Sequence, residues 1–149
     1  MDAFLVRRAM PEDKPGWLRM RLLLWPGHTP QELQADLDQI LSHPDEQPVF
    51  IVLRANNNPG GFLEGATRKY ADGCDTSPIG YIEGWYVDDD LRRKGAGRAL
   101  VRAMEAWSRE QGLAEMASYT WLDNETSITA HKKLGYVEME RLVHFAKKL

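Results

Sequence analysis

Residues 79–98 read IGYIEGWYVDDDLRRKGAGR, and this stretch decides the fold. The β-rich segment 79–87 predicts a strand, which ends where three aspartates begin a turn at Asp88. Apolar residues recur at helical spacing in 99–107, so a helix is predicted to begin at the glycines of the turn. The stretch is therefore predicted to form a strand, a glycine-rich basic turn and a helix.

The turn before this helix is predicted to bind an anion. The first backbone N–H groups of a helix have no intrahelical acceptor, and the helix dipole adds partial positive charge there. Two glycines allow a close backbone approach, and four cations accompany them in an otherwise acidic chain: Arg92, Arg93, Lys94, Gly95, Gly97 and Arg98. The turn lacks both the P-loop string and the complete dinucleotide fingerprint. A solvated basic helix start is the alternative, and the glycines alone leave it open.

The rest of the chain predicts a mixed α/β fold around one sheet. A capping box with proline at the first helical position predicts a helix after Thr29. Further helices are predicted at 12–25 and 123–134, the latter ended by Gly135. Further strands are predicted at 4–8, 49–53, 62–68, 116–120, 136–140 and 142–147. The predicted order is βααβββαβαββ.

Composition excludes several classes of protein. The chain has 149 residues, which predicts a single domain over residues 1–149, and 43% of them are hydrophobic, enough for a sizeable core. The net charge of -3 disfavours nucleic acid as a partner. No apolar run approaches the ~18 residues of a membrane span, and no signal peptide is evident. The single Cys74 fits a reducing cytoplasm and has no metal-ligand spacing around it, so no metal is predicted.

Two motifs resemble those of the GNAT superfamily of acyl-CoA-dependent N-acyltransferases. The first is R-x-x-G-x-G at 92–97, after a strand that ends in Trp-Tyr-Val. The second is N-x-x-S-x-x-x-H-x-x-x-G-Y at 124–136. The resemblance implies the GNAT fold, with one mostly antiparallel mixed sheet of about six or seven strands flanked by about four helices.

Other segments resemble the bacterial aminoglycoside 6′-N-acetyltransferases. They are LWPGH at 24–28, Y-x-x-GCD-x-SP at 70–78, IEG at 82–84 and MAS at 116–118. The resemblance implies transfer of acetyl from acetyl-CoA to the 6′-amine of an aminoglycoside by a homodimeric enzyme, which confers resistance. It implies a sugar pocket lined by Trp25, Tyr70, Glu83 and Glu140. It implies CoA contacts from the backbone of Trp85, Tyr86 and Val87, from the turn Arg92, Arg93, Lys94, Gly95, Ala96, Gly97 and Arg98, and from Asn124.

The chain departs from these patterns at two positions. Tyr119 stands where the aminoglycoside family usually has an aspartate facing the drug, which removes one anchoring charge. His131 stands where the wider superfamily often has a tyrosine that protonates the leaving thiolate. The identity of the general acid is therefore open, and His131 is assigned to contact with the CoA arm.

The chemistry of acetyl transfer requires a group that accepts a proton, because an alkyl amine of pKa near 10 is protonated at neutral pH. Glu83 lies in an apolar strand, where alternation predicts a shared face with Tyr81, Trp85 and Val87 and burial that raises its pKa. It is the candidate base, and the alternative is that it only orients the amine by charge. Backbone N–H groups at Tyr86 or Val87 are candidates to stabilise the oxyanion if the strand is splayed from its neighbour.

Acidic residues are candidates to attract a polycationic substrate. They are Asp72, Asp75, Glu83, Asp123 and Glu140. Two other functions remain open from the sequence: acetylation of another small amine, polyamine or protein N-terminus, and binding of acyl-CoA as a sensor without turnover.

Overall fold

A computed structural model describes residues 4–149, which form one five-stranded sheet with helices on both faces. The strands follow one another across the sheet in chain order, and only the last pair is parallel: β1 Phe4–Arg8, β2 Val49–Arg54, β3 Pro59–Arg68, β4 Ile79–Val87 and β5 Met116–Ser118. The helices are α1 Lys14–Leu24, α2 Pro30–Leu41, α3 Ala96–Glu110 and α4 Glu125–Lys133, with single 3-10 turns at Pro11–Asp13 and Asp89–Leu91. The predicted mixed α/β class is confirmed.

Local signals in the sequence set the helix ends. The Thr29 hydroxyl accepts from the Glu32 N–H, and the Glu32 carboxylate accepts from the Thr29 N–H, so the predicted capping box begins α2. Gly95 begins α3 in the left-handed region, at φ 90°. Gly112 and Gly135 take the same region just after α3 and α4, as residues that end helices usually do.

The two faces of the sheet bury separate parts of the core. On one face, α3 packs Leu100, Val101 and Met104 against the sheet. On the other face, α1 and α2 pack Trp17, Met20 and Leu37 against it. Side chains of adjacent strand residues point to opposite faces, so each position of β4 faces one of these two layers.

A bulge at Glu83 interrupts this alternation in β4. Glu64 of β3 pairs with Gly84 and Gly65 pairs with Ile82, which leaves Glu83 without an opposite residue. The expected face shared with Trp85 and Val87 is therefore wrong, whereas the face shared with Tyr81 is confirmed. Ile82 and Trp85 belong to the α3 face, whereas Glu83 joins Tyr81 on the α1 face, where Arg68 contacts both side chains.

The strands β4 and β5 are paired over three residues and then separate. Gly80, Tyr81 and Ile82 pair with Met116, Ala117 and Ser118, and residues 83–87 of β4 have no partner on that side. We call the space between residues 83–87 and the chain after Ser118 the strand gap. Ile82 and Ser118 form its closed end.

The two strands predicted at 136–140 and 142–147 are wrong for this chain. Residues 136–149 have no regular secondary structure, and after Tyr136, which packs against the core, their apolar side chains are exposed, among them Val137, Met139, Val143 and Phe145. The alternation that predicts strands is present, but no strand of the same chain offers a hydrogen-bonding edge beside it. The sheet accordingly has five strands where six or seven were expected. In residues 4–149, no helix combines the length and apolarity needed to cross a membrane.

Candidate active site

The strand gap exposes backbone donors of β4. The Asp88 N–H donates to Gly60 O at 2.8 Å, so by antiparallel alternation Tyr86 and Gly84 also point their polar groups at β3. Trp85 and Val87 then direct their N–H groups into the gap. Of the two predicted oxyanion donors, Val87 has the right orientation and Tyr86 does not.

The basic turn lies at the open end of the gap, where α3 begins. The first bond of this helix runs from the Ala99 N–H to Gly95 O at 2.9 Å, so the three N–H groups before Ala99 lack a helical acceptor. Arg93 also adopts a left-handed conformation, at φ 61°. Within residues 4–149, the side chains of Arg93, Lys94 and Arg98 form no ion pair. The turn therefore presents free donors and free positive charge together, as an anion site requires.

Arg92 differs from the other cations of the turn. Its Nε donates to Val87 O at 2.7 Å, and its Nη1 lies 2.8 Å from Asp89 Oδ1. Its guanidinium also lies over the Tyr86 ring, with 5.7 Å between Cζ and the ring centroid. Arg92 thus holds the turn against the end of β4. The prediction that its side chain is free to bind a phosphate is therefore wrong.

The lining of the gap fits the extended arm of CoA. The Trp85 Nε1 is buried beside the start of α3 and has no hydrogen-bond partner in the part of the chain that the structure describes. A Cβ at Gly97 would lie 3.2 Å from Trp85 Cζ2, so this glycine lets the start of α3 approach the ring. From Val87 to Ile82 the strand spans about 17 Å at ~3.4 Å per residue, which suits a long thin ligand.

Glu83 lies at the closed end of the gap and is paired with Arg68. Its Oε1 accepts from Arg68 Nε at 2.9 Å and Nη2 at 2.8 Å, and its Oε2 accepts from Nη2 at 2.8 Å. The Arg68 guanidinium lies over Tyr81, with 3.7 Å between Cζ and the ring centroid. Burial raises the pKa of the Tyr81 hydroxyl to about 12. The Glu83 side chain is 32% exposed, so the prediction of a buried carboxyl is wrong, and the carboxylate is paired with a cation.

Trp25 lies beside Glu83, at the end of α1. A Cβ placed on Gly84 would be 2.7 Å from Trp25 Cη2, so the missing side chain lets the indole approach the bulge. The ring also packs edge to face with Phe62, with centroids 6.2 Å apart. Trp25 is thus anchored on one side and half-exposed on the other, beside the carboxylate.

The loop before β4 carries Tyr70 and Asp72. Tyr70 is 69% exposed, and its hydroxyl donates to Asp72 Oδ1 at 2.6 Å. Asp72 also faces Glu140, and a hydrogen bond between the two carboxyls together with their repulsion raises the pKa of Glu140. The structure thus brings these three predicted residues together.

Glu115, just before β5, fixes this loop. Its Oε1 accepts from the Asp75 N–H at 2.8 Å, the Thr76 N–H at 2.7 Å and the Thr76 hydroxyl at 2.6 Å. These hydrogen bonds lower the pKa of Glu115. Asp75 therefore acts in the loop's own structure, and the exposed Asp123 lies apart at the start of α4.

Tyr119 follows Ser118 on the opposite side of the gap from β4. Its ring centroid lies 6.2 Å from that of Tyr81, and the side chain is 64% exposed. It therefore lies beside Tyr81, whose ring contacts Arg68, and carries a hydroxyl where the resemblance implies a carboxylate.

The helix α4 closes the other face of the gap. The Asn124 Oδ1 caps α4 by accepting from the Ser127 N–H at 3.1 Å, which leaves its amide N–H groups available. His131 contacts Trp85 edge to face, with centroids 5.3 Å apart, and its Nε2 lies 2.8 Å from Ser118 Oγ. His131 thus lies next to the gap, and Asn124 lies at the start of the same helix; their contacts with CoA stay a prediction.

Asp88 stabilises the junction of β4 and the basic turn. Burial alone would raise the pKa of this carboxyl, but hydrogen bonds from Arg19, Arg54 and Tyr86 outweigh it and hold the pKa below the ordinary value. The sequence-based assignment of 88–90 to a turn fits this role.

Three residues of the site were not singled out from the sequence. Arg68 contacts Glu83, Glu115 contacts the loop before β4, and Ser118 contacts His131. The partners in these contacts are 13 to 40 positions apart in the chain. The one available signal was the run MAS, which places a serine at the end of β5.

The profile of the Acetyltransferase (GNAT) family matches residues 17–136. That range contains β4, the basic turn, α3 and α4, which together build the strand gap. The chain belongs to the acetyltransferase (GNAT) family, whose enzymes use acetyl-CoA.

Individual relatives narrow the assignment. An aminoglycoside N(6')-acetyltransferase type 1 of Klebsiella aerogenes is 40% identical over 147 residues, which are 97% of this chain and 97% of that protein. The structure of AAC(6')-Iy with the bisubstrate analogue CoA-S-monomethyl-acetylneamine has a TM-score of 0.92 at 32% identity, covering 99% of this chain and 100% of that one. AAC(6')-Ih from Acinetobacter baumannii has a TM-score of 0.90 at 31% identity, covering 98% and 99%. Within the GNAT family, the chain belongs to the aminoglycoside N(6')-acetyltransferases, which confirms the predicted family and fold.

Proposed function

We propose that this enzyme transfers the acetyl group of acetyl-CoA to the 6′-amine of aminoglycoside antibiotics by direct attack of the amine on the thioester. One observation carries the proposal: the carboxylate of Glu83 lies at the closed end of a gap whose open end is a cationic turn. The gap holds the CoA arm, and the acidic and aromatic side chains beside Glu83 receive an amino sugar. The names and bound analogues of the relatives support the same assignment.

The drug site is assembled on the α1 side of the sheet. Trp25 and Tyr119 supply half-exposed aromatic surfaces for sugar rings, and Tyr70 supplies a third near the loop. The neighbouring carboxyl groups of Asp72 and Glu140 attract and hold ammonium groups of the drug. An acidic site of this kind also raises the rate of encounter with a polycation.

Glu83 holds the reacting amine. An incoming ammonium competes with Arg68 for this carboxylate and is drawn to the closed end of the gap. Glu83 then accepts a proton from the amine or fixes its position while the proton leaves through solvent. The Val87 N–H or the Trp85 N–H stabilises the negative oxygen that forms when the amine adds to the thioester.

The CoA arm is held by the chain in three places. The free N–H groups at the start of α3, with Arg93, Lys94 and Arg98, bind the pyrophosphate. The side-chain amide of Asn124 is a further donor to the CoA arm, and the N–H groups of Trp85 and Val87 on the backbone of β4 face the gap. Arg92 keeps the turn in shape by its bond to Val87 O.

Thiol release from acetyl-CoA tests the proposal directly. Purified protein is assayed with kanamycin, tobramycin, a 6′-hydroxyl aminoglycoside, spermidine and a peptide, and each product is analysed by mass spectrometry. We expect acetylation of the first two and not of the 6′-hydroxyl compound. Turnover confined to spermidine or peptide would show that the substrate is an amine other than the drug. CoA binding with no turnover of any compound would indicate a sensor.

The Glu83→Gln variant tests the role of the carboxylate. Loss of a base or a charged anchor lowers turnover by at least ~10²-fold while acetyl-CoA still binds. Arg68→Gln is the matched control at the same ion pair. It frees Glu83 without removing it, so near-normal turnover in Arg68→Gln with loss in Glu83→Gln supports the assignment. Near-normal turnover in Glu83→Gln would remove Glu83 from the mechanism.

We propose further that the enzyme is a homodimer joined through residues 136–149. This segment is extended, pairs with no strand of its own chain, and exposes Phe145 at 85%. Beside the short edge strand β5, Trp121 is 74% exposed and Leu122 is 52% exposed. A second copy of the chain covers both surfaces, because apolar area of this kind is rarely left in water.

The mass in solution tests the dimer. Analytical ultracentrifugation is expected to give twice the chain mass, and Phe145→Asp with Val143→Asp is expected to give the single chain. Leu23→Asp, at an exposed apolar position on α1, is the control and keeps the dimer. A wild-type monomer at micromolar concentration would contradict the proposal.

We also propose a domain organisation and a cellular compartment for the chain. Residues 1–149 act as a single N-acetyltransferase domain in the bacterial cytoplasm. Acetyl-CoA is supplied there, and the free thiol of Cys74 needs no oxidising compartment.

A further inference from the structure

Ser118 and His131 form a hydrogen-bonded pair that the steps above do not use. The His131 Nδ1 lies 2.7 Å from the backbone oxygen of Ser127. A carbonyl oxygen only accepts, so this nitrogen carries a hydrogen. The other nitrogen, Nε2, lies 2.8 Å from Ser118 Oγ and is the one free to exchange a proton with the hydroxyl.

The imidazole is held in a fixed orientation. Trp85 and Tyr136 contact the ring edge to face, with centroids 5.3 Å and 5.9 Å from it. Tyr136 is fixed in turn by a hydrogen bond from its hydroxyl to Glu105 Oε2 at 2.9 Å. A histidine held on one nitrogen by an acceptor and aimed with the other at a hydroxyl is an arrangement for moving a proton.

The pair lies at the closed end of the strand gap, on the face opposite Glu83. Ser118 pairs with Ile82, one position before the bulge, and lies on the α3 face with Met116 and Trp85. Glu83 lies on the α1 face with Arg68 and Tyr81. A substrate carbon between them has one proton-handling group on each side.

We propose that the Ser118 hydroxyl is the general acid that protonates the departing thiolate, with His131 as the positioning residue that supplies its proton. In the imidazolium form, Nδ1–H donates to Ser127 O and Nε2–H donates to Ser118 Oγ, while the Ser118 O–H donates to sulfur. As the carbon–sulfur bond breaks, its electron pair takes the Ser118 proton, and Ser118 takes the proton of Nε2. The pair ends as a neutral imidazole, a hydroxyl and a thiol, and His131 regains its proton from solvent.

This inference rests on the proposed acetyl transfer but not on the identity of the amine. Turnover of the wild-type protein is measured first, and the best acceptor found is used from then on. If no amine is acetylated, the proposed function fails. If an amine other than an aminoglycoside is acetylated, the thiolate still leaves and the roles of Ser118 and His131 remain testable.

The experiment compares single-turnover rate constants with acetyl-CoA affinity. Ser118→Ala and His131→Gln are each expected to lower the rate constant by about 10²-fold, with the Kd for acetyl-CoA changed less than threefold. The double variant is expected to be no slower than Ser118→Ala, because the two groups act in series. Ser118→Thr keeps a hydroxyl and is expected to restore most of the rate.

Ser108→Ala is the matched control for loss of a hydroxyl. Ser108 is buried on α3, and its Oγ donates to Met116 Sδ at 3.1 Å, two positions before Ser118 on the same strand. Its rate constant is expected to match the wild type. Melting temperatures verify that each variant is folded. If Ser118→Ala does not fold, the rate constant of His131→Gln is the test.

Three results would overturn the inference. A single-turnover rate within threefold of wild type in either variant would show that the proton comes from elsewhere. A loss of acetyl-CoA affinity that accounts for the whole rate change would make the pair a CoA contact only. Acetylated Ser118, found by peptide mass spectrometry after mixing with acetyl-CoA alone, would make Ser118 a nucleophile.

Discussion

Replacing Glu64 by Gln is expected to loosen the attachment of α1 to the sheet. Glu64 is 4% exposed, and its carboxylate accepts from Trp17 Nε1 at 2.8 Å, Arg21 Nε at 2.7 Å and Arg21 Nη2 at 2.8 Å. Glutamine turns an amide N–H2 towards the guanidinium, so donors face donors. One oxygen position is still filled by the glutamine carbonyl, and Arg21 keeps Leu33 O, at 2.8 Å, and Asp36, at 3.2 Å, but the bidentate charged pair is lost.

The expected loss follows from the burial of the pair. Here the buried guanidinium is left with the exposed Asp36 as its ionic partner. Removing one partner of a buried ion pair costs about 3–5 kcal/mol. For a chain of this size that lowers the melting temperature by roughly 10 °C. Urea unfolding followed by tryptophan fluorescence measures the free energy, and thermal melting by circular dichroism verifies it.

Two further variants serve as controls for this prediction. Asp38→Asn removes a carboxylate that pairs with Lys14 on the surface, and it is expected to cost less than ~1 kcal/mol. The double variant Arg21→Met with Glu64→Leu removes both buried charges and is expected to recover most of the loss. A free energy of unfolding for Glu64→Gln within ~1 kcal/mol of wild type would refute the reasoning.

Three further predictions concern the turn, the loop and pH. Replacing both Arg93 and Lys94 by Gln is expected to weaken CoA binding and to make the CoA affinity less dependent on salt, while the KM for the drug stays unchanged. A CoA affinity equal to that of the wild type, measured by calorimetry, would count against the anion site. Glu115→Ala is expected to free residues 75–76 and raise the KM for the drug severalfold at constant KM for acetyl-CoA, as steady-state kinetics would show. Asp88 has a folded pKa below its unfolded value, so its stabilisation is present above about pH 4 and lost as pH falls through the folded pKa. The difference in urea midpoint between wild type and Asp88→Asn should therefore shrink on acidification below about pH 4, and a constant difference would contradict this.

The sequence predicts the elements whose ends have local chemical causes. The capping box at Thr29 and the glycine at position 135 each act through residues a few positions away, so pattern alone locates these helix ends. The strand 79–87 is predicted to the residue because its apolar run is bounded by turn residues on both sides.

The site is less predictable because its contacts are not local. The face of Glu83 depends on one unpaired residue in β4, and strict alternation cannot show a bulge. The partner of Glu83 is Arg68 on the neighbouring strand, and nothing in the spacing marks this arginine among the others of the chain. The basic turn is predicted as an anion site, but only the structure separates Arg92, which is bound to Val87 O, from the three free cations.

The prediction of strands in the C-terminal segment fails for a different reason. Its alternating apolar residues are typical of β-structure, but a strand needs a neighbour for its hydrogen bonds. Residues 136–149 find none in their own chain, so alternation alone does not produce strands there.

The order of the strands has a consequence for how the enzyme is made. Because β1 to β5 lie across the sheet in chain order, the hairpins β2–β3 and β3–β4 close over residues 55–58 and 69–78, at lower cost in chain entropy than the longer connection between β4 and β5. The pair β4–β5 is parallel and must wait for the whole of α3 to cross the sheet. We therefore expect a nascent chain emerging from the ribosome to assemble the hairpins first. Catalytic competence then arises late in folding, when β5 docks and the strand gap comes into existence.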